Sequence, residues 1–166
     1  WTRGIVVRGC EGTHIHHNYI HHCQYHGLGY GMTHSQGRSL IEYNLFDANR
    51  HSIAATGQPG DAYEARHNVE LYTTRSFPFD MHGGRDRGDG TDIAGDWVKI
   101  HHNQFRATDQ LAIGIRGVPQ ELSTIRNNWF YHEKPGREVI TPWPIGDDAN
   151  IAFENNAFGR ESPIVQ

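Results

Sequence analysis

Little in this sequence points to a thick apolar core. Apolar residues make up only 36% of its 166 residues, and the mean hydropathy is −0.69. No apolar run is long enough to span a membrane. The only cysteines are Cys10 and Cys23, too few for a disulfide framework. They form either one bridge or two buried thiols. Basic residues are not in excess, and the net charge of −4 argues against a nucleic-acid partner. No signal peptide is visible, and the first residue is Trp1 rather than Met. The chain opens on Trp1-Thr2-Arg3-Gly4-Ile5-Val6-Val7, which already reads as a strand. The expectation is a mature form or a fragment of a longer chain, located extracellularly or on a cell surface.

What is abundant is polar or turn-forming. There are 19 glycines and 13 histidines, and aromatics reach 11%. With so many histidines the net charge changes sign at mildly acidic pH. The length suits one domain over 1–166, with a narrow core and many turns. A solenoid meets both conditions, because each coil packs only on its neighbours.

A repeat supports that reading. The pattern apolar-x-x-Asn-x-apolar occurs at Ile15 to Ile20, Ile41 to Phe46, Ile100 to Phe105, Ile125 to Phe130 and Phe153 to Phe158. A weaker copy, Ala65 to Glu70, lacks the final apolar residue. The asparagines Asn18, Asn44, Asn68, Asn103, Asn128 and Asn156 are separated by 26, 24, 35, 25 and 28 residues. Three short strands and three turns need about that length, whereas helical repeats run to about 33 residues or more with a 3.6-residue apolar period. The expected fold is all-β, a right-handed parallel β-helix of about six coils. Asn tolerates the left-handed backbone of a sharp turn, and stacked amides can bond along the column. The 35-residue gap calls for an inserted loop at about 83–96, where the run from Gly83 to Asp92 is polar and Gly-rich.

A second column ends in glycine, at Gly9, Gly31, Gly57, Gly83 and Gly117. Aligning the glycines stacks Arg8, Tyr30, Thr56, His82 and Arg116, so His82 and Arg116 become neighbours about 4.8 Å apart. The same alignment puts His51 against Phe77 and Arg50 against Ser76. Arg50 and His51 therefore flank the strand carrying Asp80. The alternative for Arg50 is a surface pair with Asp47 or Glu64, and for Asp80 and His82 a hydrogen-bonding role in the turn. The open ends of a β-helix offer self-association or further coils.

The run Phe77-Pro78-Phe79-Asp80-Met81-His82 resembles the Tyr-Gly-Phe-Asp-Pro-His motif of the mannuronan C5-epimerases and the alginate lyases of similar β-helix fold. Phe79, Asp80 and His82 match. Phe77 stands where that group has its tyrosine, and the proline has moved. The resemblance implies a polysaccharide partner and catalysis on uronate polymers by Asp80, His82 and Arg116, with Arg50 and His51 as further candidates. The chemistry removes the proton beside a carboxylate. It needs a base such as histidine and a cation to hold the growing charge. Tyr30, Trp97 and Arg8 are candidates for substrate contact. Tyr25, Phe77, Trp129, Tyr131 and Trp143 offer further ring faces. Asp86, Asp89 and Asp92, with Asp96 nearby, could supply oxygens to Ca²⁺, although their spacing does not match an EF-hand. The stacked histidines lie on parallel side chains that converge poorly on a metal. The other readings are a non-catalytic glycan-binding or structural module of a larger surface or spike protein, and a glycoside hydrolase, which would need two carboxylates about 5–10 Å apart.

Overall fold

The computed structural model describes residues 2–133, 139–142 and 150–161. The first coil holds β1 (Arg3–Arg8), β2 (Thr13–His16) and β3 (Tyr19–His21). The second holds β4 (Tyr30–Ser35), β5 (Arg38–Glu42) and β6 (Leu45–Asp47), and the third β7 (His51–Ala55), β8 (Ala62–Arg66) and β9 (Val69–Glu70). The fourth has β10 (Phe79–Met81), a short helix α1 (Gly84–Arg87), β11 (Trp97–His101) and β12 (Gln104–Phe105). Then come β13 (Ile113–Ile115), β14 (Ser123–Arg126) and β15 (Trp129–Phe130), and finally β16 (Ile140–Pro142), β17 (Ile151–Glu154) and β18 (Ala157–Phe158).

Every third strand pairs in parallel, giving three six-stranded sheets. The chain is a parallel β-helix of about five turns, since six strands in a sheet are five steps apart. The asparagine count suggested six coils. Sheet A contains β1, β4, β7, β10, β13 and β16. Sheet B begins with β2 and sheet C with β3.

Alternation along short strands decides which side chains enter the core. In sheet A the inward column runs Ile5, Met32, Ile53, Phe79, Ile113, Ile140. In sheet B it runs Ile15, Ile41, Ala65, Ile100, Ile125, Phe153. In sheet C it runs Ile20, Phe46, Glu70, Phe105, Phe130, Phe158. Each fully buried Ile or Phe contributes roughly 1.5–3 kcal/mol through burial. Glu70 breaks the third column: the weak repeat copy puts a carboxyl at a core position, only 1% exposed.

The asparagine ladder forms, and its bonds explain the recurrence. The Oδ1 of Asn68 accepts from the backbone N–H and the Nδ2 of Asn44, at 2.9 and 3.1 Å. Its own Nδ2 donates to the Ile41 carbonyl and to Asn103 Oδ1. The pattern repeats at Asn44, Asn103 and Asn128. The left-handed residue is not the asparagine, however. It is the one before it: His17, Tyr43, His67, His102, Asn127 and Asn155 all have φ between 50° and 55°. The amide is in the column for its bonds, and its neighbour takes the strained turn. A second polar column was not legible as a repeat: Asn49 Oδ1 accepts from the Cys23 N–H, and Asn49 pairs with Thr74. Cys10 is exposed and Cys23 buried, and both are free thiols.

Candidate functional site

The outward face of sheet A carries the column Val6, Thr33, Ala54, Asp80, Gly114. Beside it runs a second column. Arg8 pairs with Ser35, and the backbone bonds carry the line through Thr56 and His82 to Arg116. His82 and Arg116 are therefore neighbours. Tyr30 is not in this column. It pairs with Arg3 on one side and His51 on the other. Aligning coil two on Gly31 displaced it by five residues; Gln36, with φ 53°, holds the turn position that Gly9 and Gly57 hold in their coils.

Asp80 sits at the centre of the cluster. Its carboxylate receives Arg116 in a two-pronged bond, Nε to Oδ1 at 2.9 Å and Nη2 to Oδ2 at 2.5 Å. His82 Nε2 lies 3.1 Å from Oδ2. The carboxylate is fully buried. The Phe77 ring helps to cover it, with the Arg116 guanidinium 5.3 Å from the ring centre. Gly114 makes room for both, because a Cβ there would press on the Phe77 ring and on Asp80 Oδ1. Burial pushes the Asp80 carboxyl up, but the His82 hydrogen bond and the charges of His51, His82 and Arg116 outweigh it and hold it below the usual range. Asp80 is therefore an ionised anchor, out of reach of any substrate. It makes His82 donate from Nε2 and leaves Nδ1 as the basic nitrogen.

His51 is buried as well. Its Nδ1 lies 2.7 Å from the Phe77 carbonyl and 3.5 Å from Asp80 Oδ2. A carbonyl only accepts, so Nδ1 carries the proton. Burial pushes its pKa down to about 4, although the Asp80 charge and the Phe77 carbonyl pull the other way. The ring is neutral at ordinary pH and stacks on Tyr30, centroids 5.6 Å apart.

A groove of about 330 Å³ runs over this face, lined by Arg3, Arg8, Tyr30, Thr33, Thr56 and His82 among others. From Arg8 to His82 it crosses three strand spacings, about 14 Å. Small side chains make its floor, and its titratable lining groups are Arg3, Arg8, Tyr30, His34 and His82, with no carboxylate among them. At the His82 end, Asp86 of α1 puts a carboxylate oxygen 3.3 Å from Arg116 Nη1 and 3.7 Å from His82 Nδ1.

Of the residues singled out in the sequence, Arg8, Tyr30 and His82 line this groove, with Asp80 and Arg116 behind it. Arg50 does not; it lies in a separate pocket beyond Tyr30, its guanidinium 5.9 Å from that ring. Neither Asp47 nor Glu64 pairs with it: Glu64 is taken by Arg66 and His101. Trp97 is on sheet B, under Lys99 at 4.5 Å. Trp143 lies outside the described residues. The loop aspartates do not converge on a cation. Asp86 faces Arg116, Asp89 faces Arg87 and Thr91, and Asp92 faces Arg85. Asp96 binds Arg38 and the Gly60 N–H. Among the described residues no group of three or more ligating side chains gathers for a metal. Phe77, read in the sequence only as a departure from the motif's tyrosine and as a ring face, closes the site over Asp80 together with Gly114, which had no signal in the sequence.

Comparison with family models, with curated proteins and with solved structures gives no match. Nothing in them links the chain to the epimerases or lyases that its short motif resembles. The fold defines the class, a parallel β-helix protein, and the chemistry of the groove carries the rest.

Proposed function

We propose that the groove of sheet A binds a uronate-containing polysaccharide and that His82 removes the proton beside a bound carboxylate, in a lyase or C5-epimerase reaction. One observation carries the reading. The Asp86 carboxylate accepts from Arg116 Nη1 while lying 3.7 Å from His82 Nδ1, so a substrate carboxylate taken by Arg116 in its place would bring the carbon beside it to the basic nitrogen. A substrate carboxylate taking that place would meet Arg116 Nη1, the guanidinium nitrogen left free by Asp80. Its growing charge would be held by a cation that Asp80 and Phe77 keep in position. His82 Nδ1 would take the proton. In the lyase reaction the electron pair of the broken C–H bond forms a double bond, and the neighbouring C–O bond breaks. The departing oxygen needs a proton, and the one that His82 has taken would pass to it when both leave from the same side of the ring. In the epimerase reaction water on the other side of the ring would deliver a proton to the opposite face of the carbon, and the proton on His82 would pass to solvent. Arg8 and Arg3 would hold acidic groups further along the chain. Such a protein would work outside the cell, where its polymers are found.

A second reading, a glycan-binding module without catalysis, is favoured by the bidentate Arg116–Asp80 pair, which also braces adjacent coils. Hydrolysis is disfavoured, because Asp80 is sealed from the groove.

Incubation with alginate and with pectate tests the proposal. Unsaturated product, followed by ultraviolet absorbance, is expected from a lyase and should disappear in His82→Ala and Arg116→Ala. A changed uronate composition by NMR without new absorbance is expected from an epimerase. Binding with neither change leaves the glycan-binding reading and overturns catalysis. Absence of binding overturns both.

A further inference from the structure

We propose a second anion site, separate from the groove, in the pocket where Arg50 and Arg75 lie side by side, and we assign it to an oxyanion carried on a ring, a carboxylated or sulfated sugar. The pocket encloses about 540 Å³ and is lined by Gln24, Tyr25, His26, Leu28, Arg50 and Arg75, with Gly27.

The register argues for it. Asn49 and Thr74 pair across adjacent coils, and the residues that follow them, Arg50 and Arg75, enter the same turn and both line the pocket, although counting back from the strands had set Arg50 against Ser76. Gln24 is the equivalent residue one coil earlier, because the Cys23 N–H bonds to Asn49 Oδ1. The turn thus brings an amide and two guanidiniums to the wall of one pocket. Like charges placed directly opposite repel. At other crowded positions the chain sets acid against its arginines: Arg66 meets Glu42 and Glu64, Arg38 meets Asp96, and Arg116 meets Asp80. Among the described residues neither Arg50 nor Arg75 has a carboxylate within salt-bridge distance, although Asp47 is near Arg50 in sequence and the Asp109 carboxylate accepts from the Thr74 N–H beside Arg75. The chain leaves this pair uncompensated, and a bound oxyanion would supply the missing charge through planar, forked donors suited to it.

The wall beside the arginines indicates what carries the anion. Tyr25 is 61% and Leu28 41% exposed. They close a tight loop through reciprocal backbone bonds of 3.0 and 2.9 Å, so the apolar wall is held in place. An inorganic ion would use the arginines alone. A sugar ring would also cover Tyr25 and Leu28 with its apolar C–H face.

Titration followed by NMR of the arginine side-chain N–H groups, at low ionic strength, tests this on the whole chain. The probes are sodium sulfate, galacturonate and a sulfated disaccharide. Shifts at Arg50 and Arg75 with at least one sugar are expected, with at least tenfold weaker binding in Arg75→Gln and in Arg50→Gln. Tyr25→Ala should weaken the sugar but not sulfate. Arg8→Gln, which alters the groove, should leave the site unchanged, so this proposal can fail or succeed independently of the groove's function. Thermal melts of the arginine variants should match or exceed the wild type, since repulsion is relieved; a large loss would mark the pair as structural and overturn the proposal. Binding of sulfate without either sugar, binding that survives Arg50→Gln/Arg75→Gln, or no shift with any probe would do the same.

Discussion

Glu70 should make this protein less stable as the solution becomes alkaline. It lies in the inward column of sheet C between Phe46 and Phe105, and neither carboxyl oxygen has a hydrogen-bond partner among the described residues. Burial pushes its pKa up to about 8 from an ordinary 4.5; the nearby Ser52 hydroxyl opposes that, and the charges of Asp47 and Asp109 add smaller upward effects. Between those two values the unfolded chain has released the proton while the folded chain keeps it. Stability associated with this group is therefore fully present below pH 4.5 and lost as pH rises through 8. At about 1.4 kcal/mol per unit the full loss is about 5 kcal/mol.

Two buried histidines act in the opposite direction at lower pH, so the clean window is pH 6.5 to 8.5. There the wild type should lose about 2 kcal/mol from Glu70 alone. Urea unfolding at both pH values should show that slope, and Glu70→Gln should remove it. Glu70→Leu should remove it and add about 1.5–3 kcal/mol of apolar burial. Equal slopes in wild type and Glu70→Gln would refute the reasoning. So would a Leu variant less stable than wild type at pH 8.5.

The other predictions concern the ladder, the acid limb and the groove. Asn68→Ala leaves the buried Asn44 N–H and the Ile41 carbonyl without partners and should cost about 3–5 kcal/mol by urea unfolding, whereas Asn18→Ala, at the exposed end of the column, should cost less than about 1 kcal/mol. His34 and His51, both pushed down to about 4 by burial, bind protons only in the unfolded chain between pH 6.5 and 4. Each contribution is present above 6.5 and lost as pH falls through 4, about 3 kcal/mol apiece, and His34→Gln should flatten the acid side of the urea-midpoint profile. Asp86→Asn removes the carboxylate that occupies Arg116 Nη1 beside His82, and should strengthen polyuronate binding several-fold by calorimetry; unchanged or weaker binding would mean that a substrate carboxylate does not use that place.

The fold was legible because β-helix geometry repeats its demands. Each coil must hydrogen-bond the same turn to its neighbours, and only a short amide side chain both accepts from the coil before and donates across the step. Hence the asparagines recur at full strength. The φ requirement falls on the preceding residue, where His, Tyr and Asn all occur, so that column has no sequence signature and was read onto the asparagine. Glycine was a poorer ruler than asparagine for the same reason: a left-handed turn accepts Gln36 as well as Gly57, and a glycine such as Gly31 can sit inside a strand because the next coil's backbone lies against it. The site was legible only where it followed the rungs. His82 beside Arg116 is a consequence of register, which sequence spacing conveys. The depth of Asp80 is not, because it depends on a Phe77 ring from the preceding turn folding over the space that Gly114 leaves open. Arg50 was misplaced on the same account: strand register fixed its coil, but whether a residue before a strand faces the groove or the turn is set by the loop from Gln24 to Gly29, and that loop has no counterpart among the other described coils.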